Sequence, residues 1–240
     1  GVECEYFLIN QEGTSIADKN DIAAKPCYDQ SALMRQYDII KEICDYMLQL
    51  GWGPYQNDHE DANGQFEMNW NFANCLETAD RHVFFKFMVR SIAERHGVRA
   101  TFMPKPISGM NGSGMHIHQS IFQGNRNTFF DPDDEHRLSI NGKRFIAGLL
   151  HHAPEITLIT NQWVNSYKRL VPGFEAPAFI SWAHVSRSDL IRVPAHKPGY
   201  ESSMRVEHRA PDPAWNPCQA FRGWVGDGGR GELAEPCSVF

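Results

Sequence analysis

The 240-residue sequence contains no apolar run approaching the roughly 18 residues that cross a bilayer, so it indicates no membrane partner. No basic n-region followed by an apolar h-region is visible, so no signal peptide is read. Lysine and arginine form no stripe and the formal net charge is −6, which argues against a nucleic-acid partner. The six cysteines (Cys4, Cys27, Cys44, Cys75, Cys218 and Cys237) include no C-x-x-C pair, and such scattered thiols read as a reduced, cytoplasmic protein. There is no internal repeat. There is also no G-x-x-x-x-G-K-[ST] loop and no kinase-like glycine-rich loop, so any nucleotide must be held in another way. With 42% hydrophobic and 22% charged residues, the sequence is that of a globular protein long enough for one sizeable core.

Residues 3–9 alternate as a strand does. A polar, turn-rich loop follows. Ser31 is placed to cap a helix carrying Leu33, Met34, Tyr37, Ile40, Ile43, Cys44, Met47 and Leu48 at helical spacing, with Gly51 just past its end. Residues 52–71 read as two strands around Asn63-Gly64. A second helix starts near Thr78 and ends at Gly97. Strands are expected over residues 99–103 and 115–122, and a third helix over residues 139–152, stopping before Pro154. Beyond it the prolines suggest short strands and loops. The irregular mixture predicts an α+β fold with a mainly antiparallel sheet.

Four constellations carry chemistry. In HEDANGQFE, Asn63-Gly64 predicts a type I′ turn, which would set Ala62 opposite Gln65, Asp61 opposite Phe66 and Glu60 opposite Glu67. Two carboxylates about 5 Å apart repel unless they are solvated or share a cation. Glu3 and Glu5 are i and i+2, so they share one face of a strand, either as exposed acids or as ligands. In NGSGMHIH, His116 and His118 likewise share a face, behind glycines that let backbone N–H groups approach a ligand. Arg169, Arg187, Arg192, Arg205 and Arg209 lie within about 40 residues, as solvated side chains or as anion forks. Together, a carboxylate–histidine cluster and an arginine cluster are the equipment for phosphoryl transfer from a metal–nucleotide.

The segments ECEYF, HEDANGQFE, NGSGMHIHQS, NSYKRLVPGFEAP, RSDLIRVP and MRVEHRAPDPAWNP, in this order, resemble the glutamine synthetase catalytic domain. DHEDANGQFEMNW and TADRHVFFK are most similar to its type III branch, close to the γ-glutamylmethylamide synthetases. The resemblance implies a curved antiparallel sheet flanked by helices. It implies a catalytic domain over residues 1–221 without the family's N-terminal β-grasp domain and the domain's C-terminal part, and an irregular, possibly frame-shifted tail over residues 222–240. It also implies a ring-shaped, dodecamer-like homo-oligomer with sites shared between subunits, so that this chain by itself is expected to be inactive or feebly active.

By the same resemblance, Glu5, Glu60 and Glu67 match the ligands of one metal ion, and Glu3, His116 and Glu207 those of a second, Mg²⁺ or Mn²⁺. Asn111, Gly112, Arg169 and Arg209 match glutamate-binding positions. Arg187, Arg192 and Arg205 match positions near the ATP phosphates, with Arg169 and Arg187 also in catalytic roles. His118 and Ser120 match nucleotide contacts, and Phe72 falls where an aromatic faces the adenine. Glu175 matches the flap residue that closes the site and takes a proton from ammonium, and Tyr28 lies near the amine site. The implied reaction joins glutamate to ammonia at the expense of ATP. The alternatives are methylamine or another small amine as acceptor, a non-catalytic relative that kept the fold, and a metal-dependent hydrolase, for which five arginines have no evident use.

Overall fold

The computed structural model describes residues 1–195 and 199–217. The expected tail, and the last residues of the expected domain, lie outside them. The fold is α+β, and its sheet is antiparallel apart from one pair of strands.

The first strand, β1 (Val2–Ile9), runs through the middle of the sheet. It pairs with β3 (Gln65–Trp70) on one side and with β4 (Arg99–Thr101) and β5 (Met115–Gln119) on the other. Beyond β3 lies β2 (Pro54–His59). Beyond β5 lie β10 (Val206–His208), β9 (Ile191–Val193) and β8 (Trp182–His184), the last running parallel to β9. The small hairpin of β6 (Phe122–Gln123) and β7 (Arg126–Asn127) stands apart.

Strand periodicity sorts the side chains of this sheet. Val2, Cys4, Tyr6 and Leu8 of β1, Phe66, Met68 and Trp70 of β3, and Met115 and Ile117 of β5 enter one core. They pack there with α2 (Tyr37–Gln49) and α3 (Cys75–Arg95). Ile191, Val193 and Val206 join a second core with α4 (Ile140–His151). The alternate positions on the same strands are Glu3, Glu5, Glu67, Asn69, His116, His118, Arg192 and Glu207. One face of the sheet is therefore apolar and helix-covered, and the other carries acids, histidines and an arginine.

Several boundaries differ from the sequence reading. The helix expected from Ser31 is two helices, α1 (Gln30–Arg35) and α2, broken at Gln36 with φ −106° and ψ 15°. Asp29, not Ser31, caps the first by accepting the Ser31 and Ala32 N–H groups. The helix expected near Thr78 begins at Cys75, because the Asn74 side chain caps the Glu77 N–H. Gly51 and Gly97 take positive φ just past their helices, as expected. The strand expected over residues 115–122 stops at Gln119. Past residue 152 the chain forms α5 (Ala153–Thr160) and α6 (Val164–Arg169) where strands and loops were read. Pro154 sits in the first turn of α5, where a missing N–H costs nothing, so it starts a helix instead of excluding one.

Candidate active site on the polar face of the sheet

The β2–β3 hairpin does not follow the tight-turn register. Asp58, not Glu60, faces Glu67, and the Glu60 N–H donates to the Gln65 carbonyl. Gly64 has φ +75°, but Asn63 is not among the non-glycine residues with positive φ, so the turn is not type I′. The loop is wider because Asp21 reaches in from the turn-rich segment. Its carboxylate accepts from the Gly64 N–H at 2.6 Å and Asn63 Nδ2 at 2.8 Å, and it is bonded to buried His59 Nε2 at 2.6 Å. The register differs by two residues. A two-residue slip preserves the face, so Glu60 still points with Glu67.

On that face Glu5 stands directly opposite Glu67. Glu5 Oε2 accepts from Gln65 Nε2 at 2.8 Å and from the Gly114 N–H at 2.9 Å. Asn69 Nδ2 donates to Glu67 at 2.8 Å. Glu3 bridges two histidines, with His116 Nδ1 at 3.0 Å and His118 Nε2 at 2.7 Å. Glu207, fully buried, is held by Arg192 and Arg209 and lies 3.6 Å from His116 Nδ1.

Three sets of side chains bring ligand atoms within 4.8 Å of one another: Glu3, His116 and Glu207; Glu5, Glu67 and His116; and Asp58, Glu60 and Glu67. The electrostatics fit cations there. Burial pushes Glu5 up to about 7 against the pull of Arg169. Burial, then Glu5 and the neighbouring aspartates, pushes Glu60 up to about 9. Burial, then Glu3 and Glu60, raises Glu67 well above the carboxylate range. These carboxylates cannot all ionise side by side, and a divalent ion among them removes the conflict. Burial, then Arg209, lowers His116 to about 4, which keeps the imidazole neutral as a ligand must be. Its Nε2 is buried with no hydrogen-bond partner among the described residues, and Asn69 Oδ1 likewise. Glu3 and Glu207 behave oppositely. Burial alone would raise them, but the histidines, and for Glu207 also Arg209, outweigh it and hold both low.

Two glycines keep this face open. A Cβ on Gly114 would stand 2.5 Å from Arg169 Nη2 and 2.9 Å from His116 Nε2. A Cβ on Gly112 would meet the Pro104 carbonyl at 2.2 Å. Backbone must pass here closer than any side chain allows.

The expected residues fall around two cavities. A polar one of about 290 Å³ is lined by every position expected to hold metal, glutamate, phosphate or amine except Glu207, among them Tyr28, Asn111, Gly112, Glu175 and the arginines Arg169, Arg187, Arg192, Arg205 and Arg209. A larger, more apolar one of about 810 Å³ is lined by Phe72, His118 and Ser120. Glu3, Tyr55 and Arg205 belong to both walls. Arg205 Nε donates to His118 Nδ1 at 3.0 Å, and Arg187 stands near Tyr28, which raises the pKa of its guanidinium. Arg169 is almost fully buried, with donors committed to the carbonyls of Arg209 and Ala210, so it shapes the cavity wall as well as charging it.

Sequence reasoning missed Asp58, Asn69 and Tyr55. The i, i+2 rule that paired Glu3 with Glu5 also pairs Asp58 with Glu60 and Asn69 with Glu67, so the first two were within reach.

Residues 1–231 match the sequence model of the family described as glutamine synthetase, catalytic domain. The chain belongs to that family. It is 53% identical over 225 residues to a glutamine synthetase of Rhizobium meliloti (strain 1021), an alignment covering 90% of this chain and 50% of the relative. Among solved structures, one titled "GmaS/ADP complex-Conformation 1" superposes with a TM-score of 0.87 at 50% identity, covering 95% of this chain and 53% of that one. Plasmodium falciparum glutamine synthetase superposes with a TM-score of 0.79 at 26% identity, covering 96% and 51%. The chain thus spans about half the length of the curated relatives it matches.

Proposed function

We propose that this protein is an ATP-dependent ligase that forms a γ-glutamyl amide from glutamate and ammonia. The observation that carries this reading is the polar sheet face on which three sets of carboxylates and histidine adjoin an arginine-lined cavity. Glu5, Glu60 and Glu67, drawn from two of those sets, would hold one Mg²⁺ or Mn²⁺ ion, and Glu3, His116 and Glu207 would hold a second. When bound, these ions neutralise phosphate charge during transfer.

ATP enters the larger cavity, with its base against Phe72 and with His118 and Ser120 beside it. Its phosphates reach past Arg205 toward Arg187 and Arg192. Asn111, Gly112, Arg169 and Arg209 hold glutamate. A γ-carboxylate oxygen of glutamate attacks the terminal phosphorus of ATP, and ADP leaves with the electrons of the broken bond. The product, γ-glutamyl phosphate, has the leaving group that a carboxylate lacks. Glu175, raised by partial desolvation and by the neighbouring Asp61, takes a proton from ammonium beside Tyr28. Ammonia then attacks the acyl carbon and phosphate leaves. Residues 172–176, closed over the cavity, keep water from the acyl phosphate.

The second reading keeps the same residues with methylamine or another small amine as acceptor, on the resemblance of DHEDANGQFEMNW and TADRHVFFK to the type III branch close to the γ-glutamylmethylamide synthetases. The catalytic domain spans residues 1–221, and the working enzyme is a homo-oligomeric ring with sites between subunits. Among the described residues no helix is long and apolar enough to cross a membrane.

The test is glutamate- and ATP-dependent phosphate release by the protein with ammonium, methylamine, ethylamine and a polyamine, alongside Mn²⁺ binding. Preference for ammonium or for methylamine separates the two ligases. Mn²⁺ bound with no release for any acceptor would point to a non-catalytic relative.

A further inference from the structure

The segment that carries Glu175 rests on a cation. Phe174, its neighbour, lines the polar cavity, and the Phe174 ring centroid lies 3.4 Å from Lys105 Nζ. Lys105 is only 9% exposed, and among the described residues its ammonium has no hydrogen-bond partner. A buried ammonium without an acceptor is costly, and the negative face of the aromatic ring is the compensation available here. Burial, then Arg169, holds the Lys105 pKa below the ordinary lysine value, as a cation lacking an anionic partner requires.

The two partners are not equally fixed. The Lys105 N–H donates to Asn165 Oδ1 at 2.7 Å, and its carbonyl accepts from Asn165 Nδ2 at 3.0 Å. Asn165 lies on α6, the helix that also carries Arg169. Lys105 is thus clamped to the wall of the site. Phe174 sits among turns and bends, between Gly173, with φ +91°, and exposed Glu175.

We propose that Lys105 is a positioning residue, whose ammonium seats on the face of Phe174 and latches residues 172–176 over the cavity, so setting where Glu175 stands. This deepens the reading of Glu175 as the residue that closes the site. A cation–π contact shifts an open–closed equilibrium by about two- to thirty-fold. That is enough to bias the segment closed and little enough to release it in each cycle.

Hydrogen–deuterium exchange of the full chain, without substrates, tests the latch. The variants are Lys105→Met, Lys105→Arg, Phe174→Leu and the double Lys105→Met/Phe174→Leu. Amides of residues 173–176 should exchange about two- to thirty-fold faster in Lys105→Met and in Phe174→Leu, and no faster in the double variant than in either single. Lys105→Arg, which keeps a cation on the ring, should stay near the parent, while β1 and β3 amides stay unchanged throughout. Unaltered exchange in both single variants, additive effects in the double, or an unprotected segment in the parent would overturn the proposal. If Lys105→Met also loosens β1 and β3, Phe174→Leu decides the matter. Because no turnover is measured, a loosened segment in a protein with no ligase activity would keep the latch and reject the ligase. An active ligase whose segment is unmoved would do the reverse.

Discussion

Glu5 and Glu67 face each other across adjacent antiparallel strands, both almost fully buried, with no arginine or lysine in hydrogen-bonded contact with either carboxylate among the described residues. Like charges directly opposite in a sheet are destabilising. Their placement is a cost to the fold that a bound cation turns into a gain.

Glu67→Gln should therefore act in opposite directions on the metal-free and metal-bound protein. Removing one charge from the trio should leave the metal-free melting temperature unchanged or raise it. Mn²⁺ affinity should fall at least about ten- to hundred-fold, the scale of altered metal-site groups. Calorimetric melting with and without Mn²⁺, together with a Mn²⁺ titration, checks both. Unchanged metal affinity would remove Glu67 from the site.

The raised acids predict a pH dependence of metal-free stability. Glu5 at about 7 and Glu60 at about 9 bind protons more tightly folded than unfolded, where a carboxylate sits near 4.5. Their favourable contribution is complete below the unfolded value and is lost as pH rises through about 7 and about 9. Glu3 and Glu207, held low, add stability above the unfolded value and lose it only in acid. Urea midpoints in a chelator should fall between pH 6 and about pH 9, and millimolar Mg²⁺ should flatten the decline. A flat profile in chelator would show that the acids do not interact as placed.

Gly114→Ala should damage the site more than the fold around it. Its Cβ would displace the Arg169 guanidinium and the His116 ring. A loss of about 1–3 kcal/mol in stability is expected from overpacking, with Mn²⁺ binding weakened in parallel. Wild-type Mn²⁺ affinity in a stably folded variant would contradict the close approach.

Phe72→Ala separates the two cavities. Phe72 is 77% exposed and lines only the larger one. Loss of a base-stacking surface costs about 1–3 kcal/mol, so ADP should bind about five- to hundred-fold more weakly while Mn²⁺ binding holds. Calorimetric titration of each ligand reads the split.

What was legible in the sequence was what depends on period 2. Glu3 with Glu5 and His116 with His118 fall on one face because strands alternate, and the structure puts them there. The hairpin register was not legible, because it is set by Asp21, which is distant in sequence from the turn it fixes. The break at Gln36 was hidden by an apolar pattern that continues through it. The helices α5 and α6 were hidden by reading Pro154 as an end. Lys105 left no signal at all, since its partner is a ring that only tertiary packing brings near.

The strand order has a consequence for how the molecule comes into being. Glu3 meets His116 across 113 residues of chain, and Glu207 arrives on β10, which pairs with β5. Pairings this distant form slowly, because chain entropy must be lost before contacts return anything. One ligand set is therefore finished only by the last strand to be synthesised among those described. Metal capture through Glu207, as proposed, can follow the pairing of β10 with β5 but not precede it.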